Sequence, residues 1–148
     1  MLRKILYPTD FSEIANKCMD YIETLGCQCA EEVVVLHVID RRDINTVARA
    51  LSRYSSMVPV NVEKDMLEKT EQEIGKVAER LRKKNISVRT RIEVGIPFSE
   101  ILRVAEQEEV SFIVIGSHGL SDIREMFLGS VSEKVVRKSP QPVLLIKR

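Results

Sequence analysis

Tryptophan is absent, and three Tyr and four Phe are the only aromatic residues among 148. Proteins that hold single-stranded nucleic acid stack bases on rings along a basic groove, and this chain is short of both. Lys and Arg number 23 against 22 Asp and Glu, mixed along the sequence, for a net charge of +1. Such a balance makes no field for a duplex or an anionic bilayer to select, so neither nucleic acid nor a membrane is expected as a partner. No apolar run approaches the roughly 18 residues a spanning helix requires. The start, MLRKILYPTD, turns polar within eight residues, too soon for the core of a signal peptide, and a cytoplasmic location is expected. Cysteine is scarce and odd in number: Cys18, Cys27 and Cys29. The last two lack the two-residue spacer of a zinc knuckle or thioredoxin site, so reduced, structural thiols are expected. Cys18 shares helical spacing with Ile14, Tyr21, Ile22 and Leu25, which places it in a core.

What the chain does contain is an alternation of strand-like and helix-like segments. A strand from Lys4 to Tyr7 ends at Pro8, and a helix over 12–25 ends at Gly26. The run VVVLHVI from Val33 is apolar almost throughout and β-branched, which suggests a parallel strand buried on both faces. Residues 43–61 are harder to read, because Val47, Ala48, Leu51 and Tyr54 form a helical face that Ser55, Ser56 and Pro59 break; a short helix or a mobile connection is expected. A helix over 63–84 carries Met66, Leu67, Ile74, Val77, Ala78 and Leu81 inward. SVRTRIEV alternates as a strand exposed on one face or near an edge does, Gly95 and Pro97 lead into a helix over 98–107, and SFIVIGS is again a buried strand. A helix from Ser130 to Lys138 leads through Pro140 and Pro142 to a last strand in VLLIKR. Five strands with helical crossovers imply one α/β domain over residues 1–148, with a mainly parallel sheet and helices on both faces. Ligands of such sheets bind beyond the carboxyl ends of the strands where the winding reverses. Two segments qualify: Pro8-Thr9-Asp10 after the first strand and the glycines after the fourth.

Those glycines are Gly116, Gly119 and Gly129, the last followed by Ser130. Gly116 and Gly119 leave backbone amides clear to face an anion. Ser130 with Glu133 spells a capping box, and a helix starting there presents amides and a positive dipole end to phosphate. The plainer alternative is a turn followed by a capped helix, and spacing alone leaves both open. No Walker A lysine follows the glycines, and G-x-G-x-x-G is not present. Asp10 with Glu13 forms D-x-x-E, so Asp10 suits an N-cap as well as a ligand contact. His37, in an apolar strand, reads as a core or edge histidine. The two histidines are far apart in sequence, and no metal cage of side chains is expected.

Taken together, ILYPTDFSE, VLHVID, GIP, and GSHG followed by nine residues and GS resemble the universal stress protein family over nearly the whole chain. The final spacing is similar to that of its ATP-binding branch. The resemblance implies a Rossmann-like, adenine-nucleotide alpha hydrolase-like fold. It also implies that Pro8, Thr9 and Asp10 border the adenine and ribose, and that Val38 holds the adenine edge through its backbone. Gly116, Ser117, His118 and Gly119 would line the ribose and phosphates, and Gly129, Ser130, Val131 and Ser132 would close around the phosphate tail. Magnesium or manganese would be carried by phosphate oxygens and water.

With no general base, arginine finger or Walker lysine in evidence, the expected activity is a nucleotide-dependent switch in stress response with at most slow ATP hydrolysis. The alternatives are a slow ATPase or phosphoryl transferase using Asp10 or His118, and a nucleotide-free dimeric adaptor. An uncovered apolar last strand, PVLLIKR, implies a homodimer through the C-terminal strand, with a further protein partner unidentified.

Overall fold

The computed structural model describes residues 4–54, 61–119 and 128–147, and of Cys27 and Cys29 the backbone alone. The chain alternates β1 (Lys4–Pro8), α1 (Glu13–Cys29), β2 (Glu32–Asp40), α2 (Arg41–Ser52), α3 (Val62–Arg82), β3 (Val88–Gly95), α4 (Pro97–Gln107), β4 (Phe112–Gly116), α5 (Ser130–Lys138) and β5 (Val143–Ile146). The five strands make one sheet in the order β3-β2-β1-β4-β5, and every pairing in it is parallel. The winding therefore reverses between β1 and β4.

Side chains alternate between the two faces of the sheet, as the period of a strand requires. Ile5, Tyr7, Val33, Val35, Phe112 and Val114 pack under α1 and α3, with Cys18, Ile22, Ile74 and Leu81. Leu6, Val34, Leu36, Ile113 and Ile115 pack on the opposite face under α4 and α5, with Ile101, Val104 and Val135. Helices on both sides explain why β2 is apolar without interruption from Val33 to Leu36. At the outer edge, Arg89 and Arg91 of β3 pair with Glu32, Glu93 and Glu108, a run of charge that discourages another strand from adding there.

Several local expectations are corrected. Gly26 does not end α1, which continues to Cys29; a β-carbon on Gly26 would lie 2.9 Å from Ile86 Cδ1, so this glycine allows close packing and not a stop. Tyr21 is 47% exposed and lies outside the core. Within 43–61 the first part is regular helix, α2, because Asp40 caps it by accepting from the Arg42 amide at 2.9 Å. Ile44 anchors α2 against Ile39 and Val62. Ser55, Ser56 and Pro59 lie outside the described residues. Cys18 is fully buried, as expected.

Candidate functional site

The strand β1 pairs with β4 only at Ile5–Phe112 and Leu6–Ile113, while its register with β2 runs on to Pro8–Leu36. Beyond Leu6 the sheet is split, and the two loops expected to bind a ligand face each other across the gap. A cleft of about 850 Å³ opens there, within the range of small-molecule sites. Of the twelve residues expected at the site, the cleft is lined by Pro8, Thr9, Asp10, Val38, Gly116, His118, Gly119, Gly129, Ser130, Val131 and Ser132.

The loop after β1 is held by its own side chains. Thr9 N donates to Leu36 O at 2.8 Å, Phe11 N to Thr9 Oγ1 at 3.0 Å, and Ser12 N to Asp10 Oδ1 at 3.0 Å. Phe11 takes a left-handed backbone, φ 63°, unusual for an aromatic residue and costing roughly 1–3 kcal/mol. Its ring compensates by stacking on His37, centroids 4.7 Å apart and planes 21° apart, while His37 Nδ1 meets Thr9 O at 2.7 Å. Asp10 does not cap α1. Ser12 does, accepting from the Ala15 amide at 3.4 Å, because the tight turn leaves Asp10 two residues ahead of the cap.

The loop after β4 is stitched to α5. Ser117 is absent from the cleft lining because its backbone is committed to structure. Its N–H donates to Ile146 O at 2.8 Å, and its carbonyl accepts from Gly129 N at 2.7 Å and from Ser132 Oγ at 2.9 Å. Ser117 Oγ and His118 Nδ1 lie 2.7 Å apart, buried. The expected capping box does not form. The N-cap is Gly129, with no side-chain bond, and Ser130 is the first helical residue. The helix starts one residue earlier than such a box requires: the Gly129 amide is anchored on Ser117 O, Ser130 therefore stands at the first helical position and not at the cap, and Glu133 pairs instead with Arg137. The first three amides of a helix have no partner within it, so those of Ser130, Val131 and Ser132 are left for the cleft.

Backbone polarity at β2 points the same way. Leu36 O accepts from Thr9 N, and strand groups two residues on share an edge, so the Val38 N–H and C=O face the gap past the end of β1. The close approach of the two loops depends on Gly119, where a β-carbon would stand 2.9 Å from Asp10 Oδ2. No described glycine has a positive φ; Gly119 is required for space, not for an unusual torsion.

The expectations missed one wall of the cleft altogether. Phe11, His37, Asp40, Arg42, Met66, Lys69, Thr70 and Glu73 also border it, most of them from α2 and α3. Asp40 is legible in principle, as the carboxyl end of β2. Thr70 has a weaker signal: a polar residue among the inward positions Met66 and Ile74. Burial lowers the His37 pKa from 6.5, opposed by the Thr9 carbonyl and Asp10. Burial pushes the Cys18 thiol, nearby in α1, up to about 12, with Asp10 adding to it. No cluster of three or more His, Cys, Asp or Glu that could hold a metal occurs among the described residues, and no helix among them is long and apolar enough to cross a membrane.

A model of the universal stress protein family matches residues 1–147. The chain is 39% identical over 157 residues to universal stress protein MJ0577 of Methanocaldococcus jannaschii, with 100% of this chain and 96% of that one aligned. It is 32% identical over 152 residues to universal stress protein YxiE of Bacillus subtilis, covering 99% and 100%. The solved structure of MJ0577 superposes with a TM-score of 0.85 at 38% identity, over 100% of this chain and 97% of that one. More distant in sequence is a universal stress protein from Archaeoglobus fulgidus in complex with dAMP, at 20% identity and TM-score 0.64, covering 99% and 98%. A universal stress protein in complex with cAMP stands at 17% and 0.61, covering 99% and 97%. These last two bear on the fold alone. By the family match across the chain and the full-length identity to MJ0577, the chain belongs to the universal stress protein family.

Proposed function

We propose that the cleft binds an adenine nucleotide, ATP with magnesium or manganese, and that occupancy rather than turnover is the signal. The chain would then act as one cytoplasmic domain over residues 1–148, a switch in stress response. The observation that carries this reading is the start of α5. Gly129 offers no capping side chain, the amides of Ser130, Val131 and Ser132 line the cleft, and a helix N-terminus with free amides favours phosphate. The Val38 backbone offers the donor and acceptor that an adenine edge requires. Family members solved with dAMP and cAMP are in keeping with an adenine ring.

A divalent ion would ride on phosphate oxygens and water; Asp10, whose Oδ2 lies against Gly119, is the carboxylate placed to face its water. The cations lining the cleft are Arg42 and Lys69, on the α2 and α3 side and not at the α5 end. With no lysine or arginine among the described residues at the phosphate end to stabilise a transferring phosphoryl group, hydrolysis on this reading is slow at most. Calorimetric titration with ATP and magnesium tests the reading: saturable binding is expected, with ADP accumulating over hours or not at all. Absence of binding overturns it, and prompt turnover overturns the switch.

Occupancy needs a surface on which to be read. The strand β5 pairs with β4 and leaves its outer edge to a second copy, with Leu144 37% exposed beside it. Edge pairing would give a homodimer, and the partner protein that reads the nucleotide state would meet that assembly. A dimer mass by light scattering at micromolar concentration is the expected result; a monomer refutes it.

A further inference from the structure

Residues bearing on the nucleotide occupy one end of the cleft: the β1 and β4 loops, the Val38 backbone and the start of α5. The cleft continues past them toward α3, on the sheet face that carries Phe11, His37 and Ile39. Two polar atoms there have no partner. The imidazole of His37 meets the carbonyl of Thr9 through Nδ1 at 2.7 Å; a carbonyl only accepts, so Nδ1 carries the proton. With burial holding the ring neutral, Nε2 on the far edge is a bare acceptor.

The second atom belongs to Thr70. Its residue is 7% exposed and borders the cleft, yet its hydroxyl makes no hydrogen bond, not even the bond to the preceding turn that Thr24 and Thr46 make. Among the described residues no side-chain nitrogen or oxygen is both occluded and unpaired. Both atoms therefore reach open space, and the open space beside them is the cleft. The walls around them are Phe11, Ile39 and Met66, apolar and partly aromatic. Unpaired polar groups on an apolar wall await a ligand with matching groups.

We infer that the α3 side of the cleft is a second subsite, which takes a flat heteroaromatic ring of the nucleobase kind by one edge: an exocyclic amino N–H on His37 Nε2, and an adjacent ring acceptor on the Thr70 hydroxyl. The inference rests on the nucleotide reading only in that the nucleotide fills the other end. The test uses the full chain, uniformly ¹⁵N-labelled and saturated with ATP and magnesium. Adenine is added and the Nε2 resonance of His37 followed. A saturable shift is expected, weakened roughly tenfold by Thr70→Val and likewise with N6,N6-dimethyladenine, which lacks the exocyclic N–H. A shift of Nε2 caused by ATP alone overturns the inference, because His37 would then read the nucleotide's own base. No shift with adenine, or an equal one with the dimethyl compound, also overturns it. Failure of the nucleotide reading looks different: the Ser130 and Val131 amides would stay unmoved by ATP, while adenine would still shift His37 in the ATP-free protein.

Discussion

Substituting Gly119 by alanine tests how the two loops of the cleft are held together. The added β-carbon would lie 2.9 Å from Asp10 Oδ2, about half an ångström inside the 3.4 Å of an ordinary contact. Either the glycine loop retreats or the Asp10 carboxylate turns. Turning is restrained, because Oδ1 of the same carboxylate accepts from Ser12 N at 3.0 Å, and a hydrogen bond to a charged group is worth about 1.5–3 kcal/mol. Asp10 is only partly buried, which leaves water to replace some of that loss, so a stability cost of about 1 kcal/mol is expected. If Asp10 and Gly119 border the nucleotide, the affinity for ATP falls by roughly tenfold as well, about 1.4 kcal/mol. The assay is a double-mutant cycle of Gly119→Ala with Asp10→Ala, read by urea unfolding and by ATP titration. In the Asp10→Ala background the carboxylate is gone and alanine at 119 has nothing to strike, so its cost should vanish. Equal costs in both backgrounds would refute the steric account and leave Gly119 as a matter of backbone freedom.

Two further outcomes follow from buried titratable groups. Cys18, pushed up to about 12 by burial, is on the order of 10⁻⁴ thiolate at pH 8; iodoacetamide should leave it unmodified in the native protein and alkylate it in urea, and peptide mass mapping would expose a native reaction that contradicts this. The same shift makes the fold lose stability as pH rises above the ordinary thiol value of 9.0, where the unfolded chain releases its proton first. His37 has the opposite sign. Its pKa lies below 6.5, so the unfolded chain binds the proton first as pH falls, and stability declines below pH 6.5. An NMR titration in which His37 takes up its proton at or above 6.5 would count against its burial in this form.

The order of elements was legible because each core face has its own period. The strand β2 reads as a buried strand since nothing polar interrupts Val33 to Leu36, and these four are fully buried between the two helical layers. The arginines of β3 reveal an edge. Errors fell where one local rule competes with another. Gly26 looks like a helix stop, yet its lack of a side chain serves contact with Ile86. Ser130 and Glu133 fit a capping box in sequence, but the Gly129 amide is bonded to Ser117 O and Gly129 takes the cap, through a contact with a residue twelve positions earlier that no local pattern connects to it. Asp10 lost the cap of α1 to Ser12 because Phe11 adopts φ 63°, which a sequence does not announce for an aromatic residue.

The same distinction separates the two ends of the cleft. On the proposed reading phosphate would be held by backbone, and backbone sites leave a trace in sequence because glycine must stand wherever chains approach closely: Gly119 against Asp10, Gly116 with its missing β-carbon 3.1 Å from Ile14 Cγ2. The α3 wall is built from side chains whose backbone is ordinary helix and strand, so nothing distinguishes them from core positions except polarity. Thr70 lies one turn before Ile74 on the inward face, and His37 lies between Val35 and Ile39 on the corresponding face of β2. A polar residue at a core position is either paired or turned toward a cavity. His37 is half paired, through Nδ1, and Thr70 not at all. Their remaining polar atoms therefore mark where the packed core ends and a binding surface begins, a boundary that depends on hydrogen-bond partners and not on residue type.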